Sequence, residues 1–162
     1  LYDYVIIDTF PLFDRTVMTI LDLSDQAVIV VENVVPTLQT VRGFFDLLSE
    51  VNFPESRQRV LLNRFTTRGG SPGIGDVAKY LERQPDYVVP FNRNVVTAAN
   101  TGTPVVMTSR RGAASAFREL AKDIQSLEVR EAPSFDTANG ANRPASEQDA
   151  YGSQNSLGSA SS

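Results

Sequence analysis

The sequence predicts an α/β fold: a mostly parallel, doubly wound sheet with helices on both faces. Short runs rich in β-branched and other apolar residues, at 5–7, 27–31, 59–63 and 87–89, lack the polar alternation of a half-exposed strand and suit strands buried on both sides. Between them lie segments whose apolar residues recur at three- and four-residue steps, the spacing of one helix face. Strands alternating with helices of that length imply right-handed crossovers and therefore parallel pairing.

The chain opens on YDYVIIDTFP, residues 2–11. Its apolar centre reads as the first strand, with Asp8 at the carboxyl end, the edge where open α/β sheets bind ligands. A carboxylate there can hold a hydrated Mg²⁺ or orient a water, and it can equally well just terminate the strand. Phe13, Val17, Ile20 and Leu21 predict a short helix over 13–23, and AVIVV at 27–31 a second strand. Pro36 suits the first position of the next helix, whose buried stripe of Leu38, Val41, Phe44, Phe45, Leu47 and Leu48 runs to about Val51, where Asn52 and Pro54 stop it. RVLLN at 59–63 is the third strand, followed by a glycine-rich loop from Gly69 to Gly75 and a helix over 74–83 carrying Val77, Tyr80 and Leu81 on one face. Residues 87–89 form the fourth strand and close on Pro90. A helical turn over 94–100 ends at Gly102, residues 104–107 read as an extended connector, and Ala116, Phe117, Leu120, Ile124 and Leu127 predict a helix over 113–127.

The length of 162 residues and 41% hydrophobic content provide for one core, so a single domain is expected over 1–130. From 131 onward Ser, Ala, Asn, Gly, Gln and acidic residues offer too little apolar surface to offset the entropy of ordering, which predicts a disordered polar tail over 131–162. Leu1, in place of Met and within a few residues of a core strand, predicts further sequence upstream. The formal net charge of -4 speaks against a strong non-specific grip on DNA or anionic lipid. With no cysteine and no histidine, disulfides, thiol nucleophiles, Cys/His zinc sites and imidazole acid–base chemistry are excluded, leaving carboxylates, hydroxyls, amides and cations. No apolar run reaches the roughly 18 to 20 residues that span a bilayer, and no basic-then-apolar leader opens the chain, so the expected compartment is the cytoplasm. The first three strands end in Asp8-Thr9, Glu32-Asn33 and Asn63-Arg64. Three polar tips on one edge imply a site.

VIIDTFP, AVIVV, VLLNRF, and the stretch from Val89-Pro90 through Ala98, Gly102 and Pro104-Val105 resemble, in that order, the carboxyl-terminal half of a MinD/ParA-type P-loop ATPase of the SIMIBI class. The resemblance covers about residues 1–127. It implies that Asp8 ends the Walker B strand and binds Mg²⁺ through water, with Thr9 and Pro11 shaping the adjoining switch loop; Phe10 stands where the family usually has a first proline. It implies that Asn63 reads the adenine edge of ATP while Arg64 lies against the ring, chemistry an amide and a guanidinium can perform. A second adenine contact is implied in the loop Pro90, Phe91, Asn92, mostly through backbone, although Phe91 replaces a usual acidic or amide residue. The glycine-rich loop, the opening Tyr2-Asp3-Tyr4 and AFRELA at 116–121 are most similar to the CpaE/TadZ-type pilus-assembly branch.

The family's phosphate-binding loop, G-x-x-x-x-G-K-[ST], is absent from this sequence. The Gly69 to Gly75 stretch holds no lysine and follows the wrong strand, so it reads as a surface loop, and this chain alone is expected not to hydrolyse ATP. Arg110-Arg111 reads as a solvated pair, and Asp22 and Asp25 as structural residues near a helix end. Three functions remain open: a MinD/ParA-like ATPase that dimerises on nucleotide and positions a cell-envelope machine such as a Flp/Tad pilus; a scaffold of the same fold that has lost turnover; and a DNA-partitioning ATPase, which the lack of a concentrated basic face disfavours. The tail lacks a basic amphipathic helix, which argues against direct membrane insertion and leaves recruitment to the membrane or cell pole to a protein partner.

Overall fold

The computed structural model describes residues 2–9 and 14–127. Within them β1 (Ala27–Glu32), β2 (Gln58–Phe65) and β3 (Tyr87–Pro90) form one parallel sheet in the order β1-β2-β3. Helices make the crossovers: α2 (Val35–Glu50) joins β1 to β2 and α3 (Ile74–Leu81) joins β2 to β3. The helix α1 (Arg15–Leu23) precedes the sheet, and α4 (Arg93–Asn100), α5 (Val105–Thr108) and α6 (Ala113–Ser126) follow it.

One face of the sheet is covered along all three strands and the other over β2 and β3, while Val30 of β1 is 55% exposed on that second face. Ile29 and Val31 of β1 with Val60 and Leu62 of β2 point to one side, where Leu21 of α1, Leu38, Val41 and Leu48 of α2, and Val77 and Leu81 of α3 close over them. Leu61 of β2 and Tyr87 and Val89 of β3 point to the other side, against Ala113 and Ala116 of α6. The small alanines let α6 sit close to the strands. Each fully buried leucine on the first face contributes about 1.5–3 kcal/mol of transfer free energy relative to an exposed one.

Local signals fix the helix ends. Asp14 Oδ1 accepts from the Val17 N–H at 2.9 Å and starts α1, while Arg57 donates to the Leu21 and Ser24 carbonyls where α1 ends. Asp76 Oδ2 accepts from the Gly73 N–H at 3.1 Å and starts α3. That helix stops at Leu81, two residues short of the expected end, because Glu82 takes a left-handed φ of 55°. Gly102, with φ 66°, ends the turn after α4 as expected.

Two expectations fail here. Residues 104–107 are not extended: Pro104 caps the short helix α5, whose terminal carbonyls at Val106 and Ser109 accept from the Arg118 guanidinium. That contact spans the α5–α6 turn and could not be read from local pattern. The strand expected at 5–7 is not formed either; residues 2–9 pair with no strand, and Val5 and Ile6 are 76% and 86% exposed. Apolar character makes a segment suitable for a buried strand, but a strand also needs a neighbouring edge and covering layers, and among the described residues none is brought to it. Pro11 and the tail over 131–162 lie outside the described residues.

Candidate functional site

The carboxyl-terminal tips of β1, β2 and β3 lie side by side. Glu32 stands opposite Asn63, and Phe65 opposite Pro90. Between these pairs the β2–β3 register shifts, and the residue that absorbs the shift is Arg64, at a left-handed φ of 52°. A long side chain in that region carries a backbone cost of order 1–2 kcal/mol. The kink swings the Arg64 guanidinium toward β1, where it meets Glu32 Oε1 at 3.5 Å. After it β2 resumes its pairing, and the Phe91 N–H donates to the Phe65 carbonyl at 2.9 Å.

Asn63 is half-buried at the strand tip, and its side-chain amide makes no hydrogen bond with any described residue. It keeps a donor and an acceptor for a ligand edge. Asn33, which looks equivalent in sequence, is spent differently. It is 3% exposed, and its Nδ2 donates to the Thr66 carbonyl at 2.6 Å and the Pro72 carbonyl at 2.9 Å, folding the glycine-rich loop back over the end of β2.

That clasp leaves an open cleft of about 520 Å³ lined by Phe65, Thr66, Arg68, Phe91, Asn92 and Arg93. Asn92 Oδ1 accepts from the Asn94 N–H at 2.8 Å and so caps α4, which carries Arg93 at its first position. Of the residues expected to contact a base, Phe91 and Asn92 line the cleft, Pro90 ends the adjoining strand, and Asn63 stands at the next strand tip. Arg64 lies on Glu32 and does not line the cleft. Phe65, Thr66, Arg68 and Arg93 were missed; each lies within four residues downstream of an expected contact, and an aromatic residue immediately following a polar strand tip was the available signal.

Asp8 and Thr9 are exposed in the unpaired segment 2–9, and Asp8 makes no hydrogen bond or ion pair with any described residue. No three carboxylates gather into a metal cage among the described residues. Mg²⁺ would need Asp8 beside water and phosphate at a strand tip, and the strand expected to carry Asp8 to that edge does not form among the described residues. No helix of the described residues is long and apolar enough to cross a membrane.

No protein-family model matches the sequence. Over 128 residues it is 23% identical to the septum site-determining protein MinD of Thermotoga maritima, covering 76% of this chain and 47% of that protein. Among solved structures, a ParA family ATPase from Chlorobium tepidum superposes with a TM-score of 0.65 at 21% identity, over 75% of this chain and 51% of that one. MinD in the Aquifex aeolicus MinC:MinD cell division complex superposes at 0.61 with 20% identity, over 74% and 50%. Pyrococcus horikoshii MinD, complexed with Mg-ADP, superposes at 0.54 with 17% identity, over 64% and 42%. The chain thus spans about half the length of the relatives it matches. It is similar in sequence to MinD and has the α/β fold of the MinD/ParA ATPases.

Proposed function

We propose that this chain is the carboxyl-terminal part of a MinD/ParA-type ATPase and supplies the base-binding half of its ATP site. The observation that carries the reading is Asn63: an amide without a partner among the described residues, at the ligand edge of a parallel sheet, one strand from the Pro90-Phe91-Asn92 loop and its cleft. In this reading Asn63 pairs with the adenine edge and the loop backbone completes the contact. In the whole protein Asp8 would hold Mg²⁺ through water, and Thr9 and Pro11 would shape the switch loop. Bound Mg²⁺ would neutralise phosphate charge during hydrolysis; the chain's own contribution is to bind and orient the base.

The whole protein would form a dimer on nucleotide and use it to place a protein partner at the cell envelope, recruited from the cytoplasm. Similarity to MinD favours a cell-division partner, while the glycine-rich loop and the 116–121 helix favour a pilus-assembly machine. A turnover-deficient scaffold of the same fold is the second reading, and the sequence upstream of Leu1 separates the two: an intact phosphate loop with its lysine supports the ATPase. Titration of the chain with adenine and guanine nucleotides tests the base site. The expected result is preference for adenine and an affinity about tenfold weaker in Asn63→Ala, the loss of one or two hydrogen bonds in a partly desolvated site. Equal affinities in wild type and variant would overturn the reading.

A further inference from the structure

The cleft at the ends of β2 and β3, which Asn63 does not itself line, is lined by more than a base needs. Phe65 and Phe91 supply two aromatic rings, Arg68 and Arg93 two guanidinium groups, and no carboxylate shares the lining. Neither arginine belongs to any ion pair among the described residues, whereas Arg64 is held by Glu32 on the neighbouring strand. The loop that leads into α6 is packed against the same rim: a Cβ on Gly112 would lie 3.6 Å from Asn92 Nδ2 and 4.0 Å from Pro90 Cγ. Arg110 and Arg111 therefore enter the sequence next to the cleft, on a loop held by Arg118 through the Ser109 carbonyl at 2.8 Å. In a chain of net charge -4, an edge carrying four arginines outside any described ion pair is a local reversal of sign.

We propose that this cleft binds a nucleobase and a phosphate of the same ligand together, the base against Phe65 and Phe91 and the phosphate on Arg68 and Arg93. The proposal deepens the base-binding reading and rests on it. It adds an anion contact made entirely by this chain, without a glycine-rich phosphate loop. Guanidinium forks match phosphate oxygens in pairs, and aromatic faces accept any base. The volume suits one nucleotide. Phe91 is 48% exposed, so the cleft is open on one side and leaves room for a ligand that continues outward. Two sources share this chemistry, a free nucleotide and the end of a single nucleic-acid strand.

Calorimetric titration of the chain with adenosine, AMP, inorganic phosphate and a six-nucleotide oligo(dA), at low and raised salt, tests it. AMP should bind about tenfold more tightly than adenosine, and raised salt should abolish the difference. Arg68→Gln with Arg93→Gln should bring AMP to the affinity of adenosine while leaving adenosine unchanged, and Phe91→Ala should weaken both. Thermal melts of each variant verify folding. Equal affinity for AMP and adenosine, or no effect of the arginine changes, overturns the phosphate contact but leaves the base site standing. No binding of any probe overturns both. Oligo(dA) about tenfold tighter than AMP assigns the site to nucleic acid through added phosphate contacts, and equal affinity assigns it to free nucleotide.

Discussion

The two ends of the sheet are built to different rules. At the amino end, the polar groups around Gln58 are tied to one another, although Gln26 Oε1, just before β1, is buried with no hydrogen-bond partner among the described residues. Gln58 is buried, with Nε2 donating to the Phe53 carbonyl at 3.0 Å and Oε1 accepting from Arg83 at 2.9 Å. Arg83 also reaches Asp86 at 4.0 Å and lies over the Phe45 ring, and Asp86 accepts from the Val60 N–H at 2.7 Å. At the carboxyl end, Asn63 has no side-chain partner among the described residues, Arg64 is held in a left-handed conformation, and an open cleft separates two loops. Satisfied networks fix a fold, and unsatisfied groups beside a cleft are available to a ligand. The amino end has a cleft of its own, about 650 Å³, lined by Gln58 and Arg83 together with Asp46, Glu55 and Glu82, so the two ends differ in the charge that lines their clefts and in how their amides are tied, not in one end alone being open.

Gln58→Ala should be the most disruptive way to test that division. It leaves the Phe53 carbonyl and the Arg83 guanidinium without their buried partner and opens a cavity, a loss of about 2–3 kcal/mol. Denaturant unfolding should show a lowered midpoint, and a change under about 0.5 kcal/mol would mean that the amino end is not the anchor. Asn33→Ala removes a clasp at the other end and should cost less overall, about 1–2 kcal/mol. Its effect should be local: faster hydrogen exchange confined to residues 66–72, with the β1–β2 ladder unchanged. Uniform acceleration across the sheet would show that Asn33 belongs to the core and not to the site.

How much of this was legible in sequence follows the same division. AVIVV and RVLLN identified β1 and β2 as unbroken apolar runs; β2 is buried on both faces as such a run implies, whereas Val30 of β1 is 55% exposed and leaves that strand covered on one side. VIIDT, at 5–9, carries the same pattern and forms no strand, since pairing depends on an edge that no single segment encodes. Around the cleft, Phe91 and Asn92, expected in a strand-tip loop, are among the lining residues, and Asn63, expected at a strand tip, stands at one without lining the cleft. Asn33 gave the same signal and proved to be a clasp; only its contacts with Thr66 and Pro72, more than thirty residues away in the chain, separate it from Asn63. Arg68 and Arg93 were hidden because a shift in β2–β3 register and a loop fold bring them together, and neither feature has a periodicity.

Tyr87 gives a pH test of the opposite face. Burial pushes its phenol up from 10.0 to about 12, helped by a hydrogen bond donated to Asp123 of α6 and by that carboxylate's charge. A raised phenol favours the neutral form in the folded state, so the associated stability is complete below pH 10 and disappears as pH rises through about 12. Thermal melts between pH 9 and 12 should fall more steeply for wild type than for Tyr87→Phe. Parallel curves would show that the β3–α6 contact does not depend on this pair.

The smallest expected effect sharpens the comparison most. Arg64→Gly removes an exposed ion pair, for which about 0–1 kcal/mol is typical, and relieves a left-handed strain of order 1–2 kcal/mol. The variant should therefore be as stable as wild type or more stable, by up to about 1 kcal/mol. A stabilised Arg64→Gly would mean that the chain tolerates strain at its ligand edge for a reason other than folding, and the guanidinium that Glu32 holds there is the candidate reason. A clear destabilisation would instead place the Glu32–Arg64 pair with the amino-end network, as part of what holds β1 to β2.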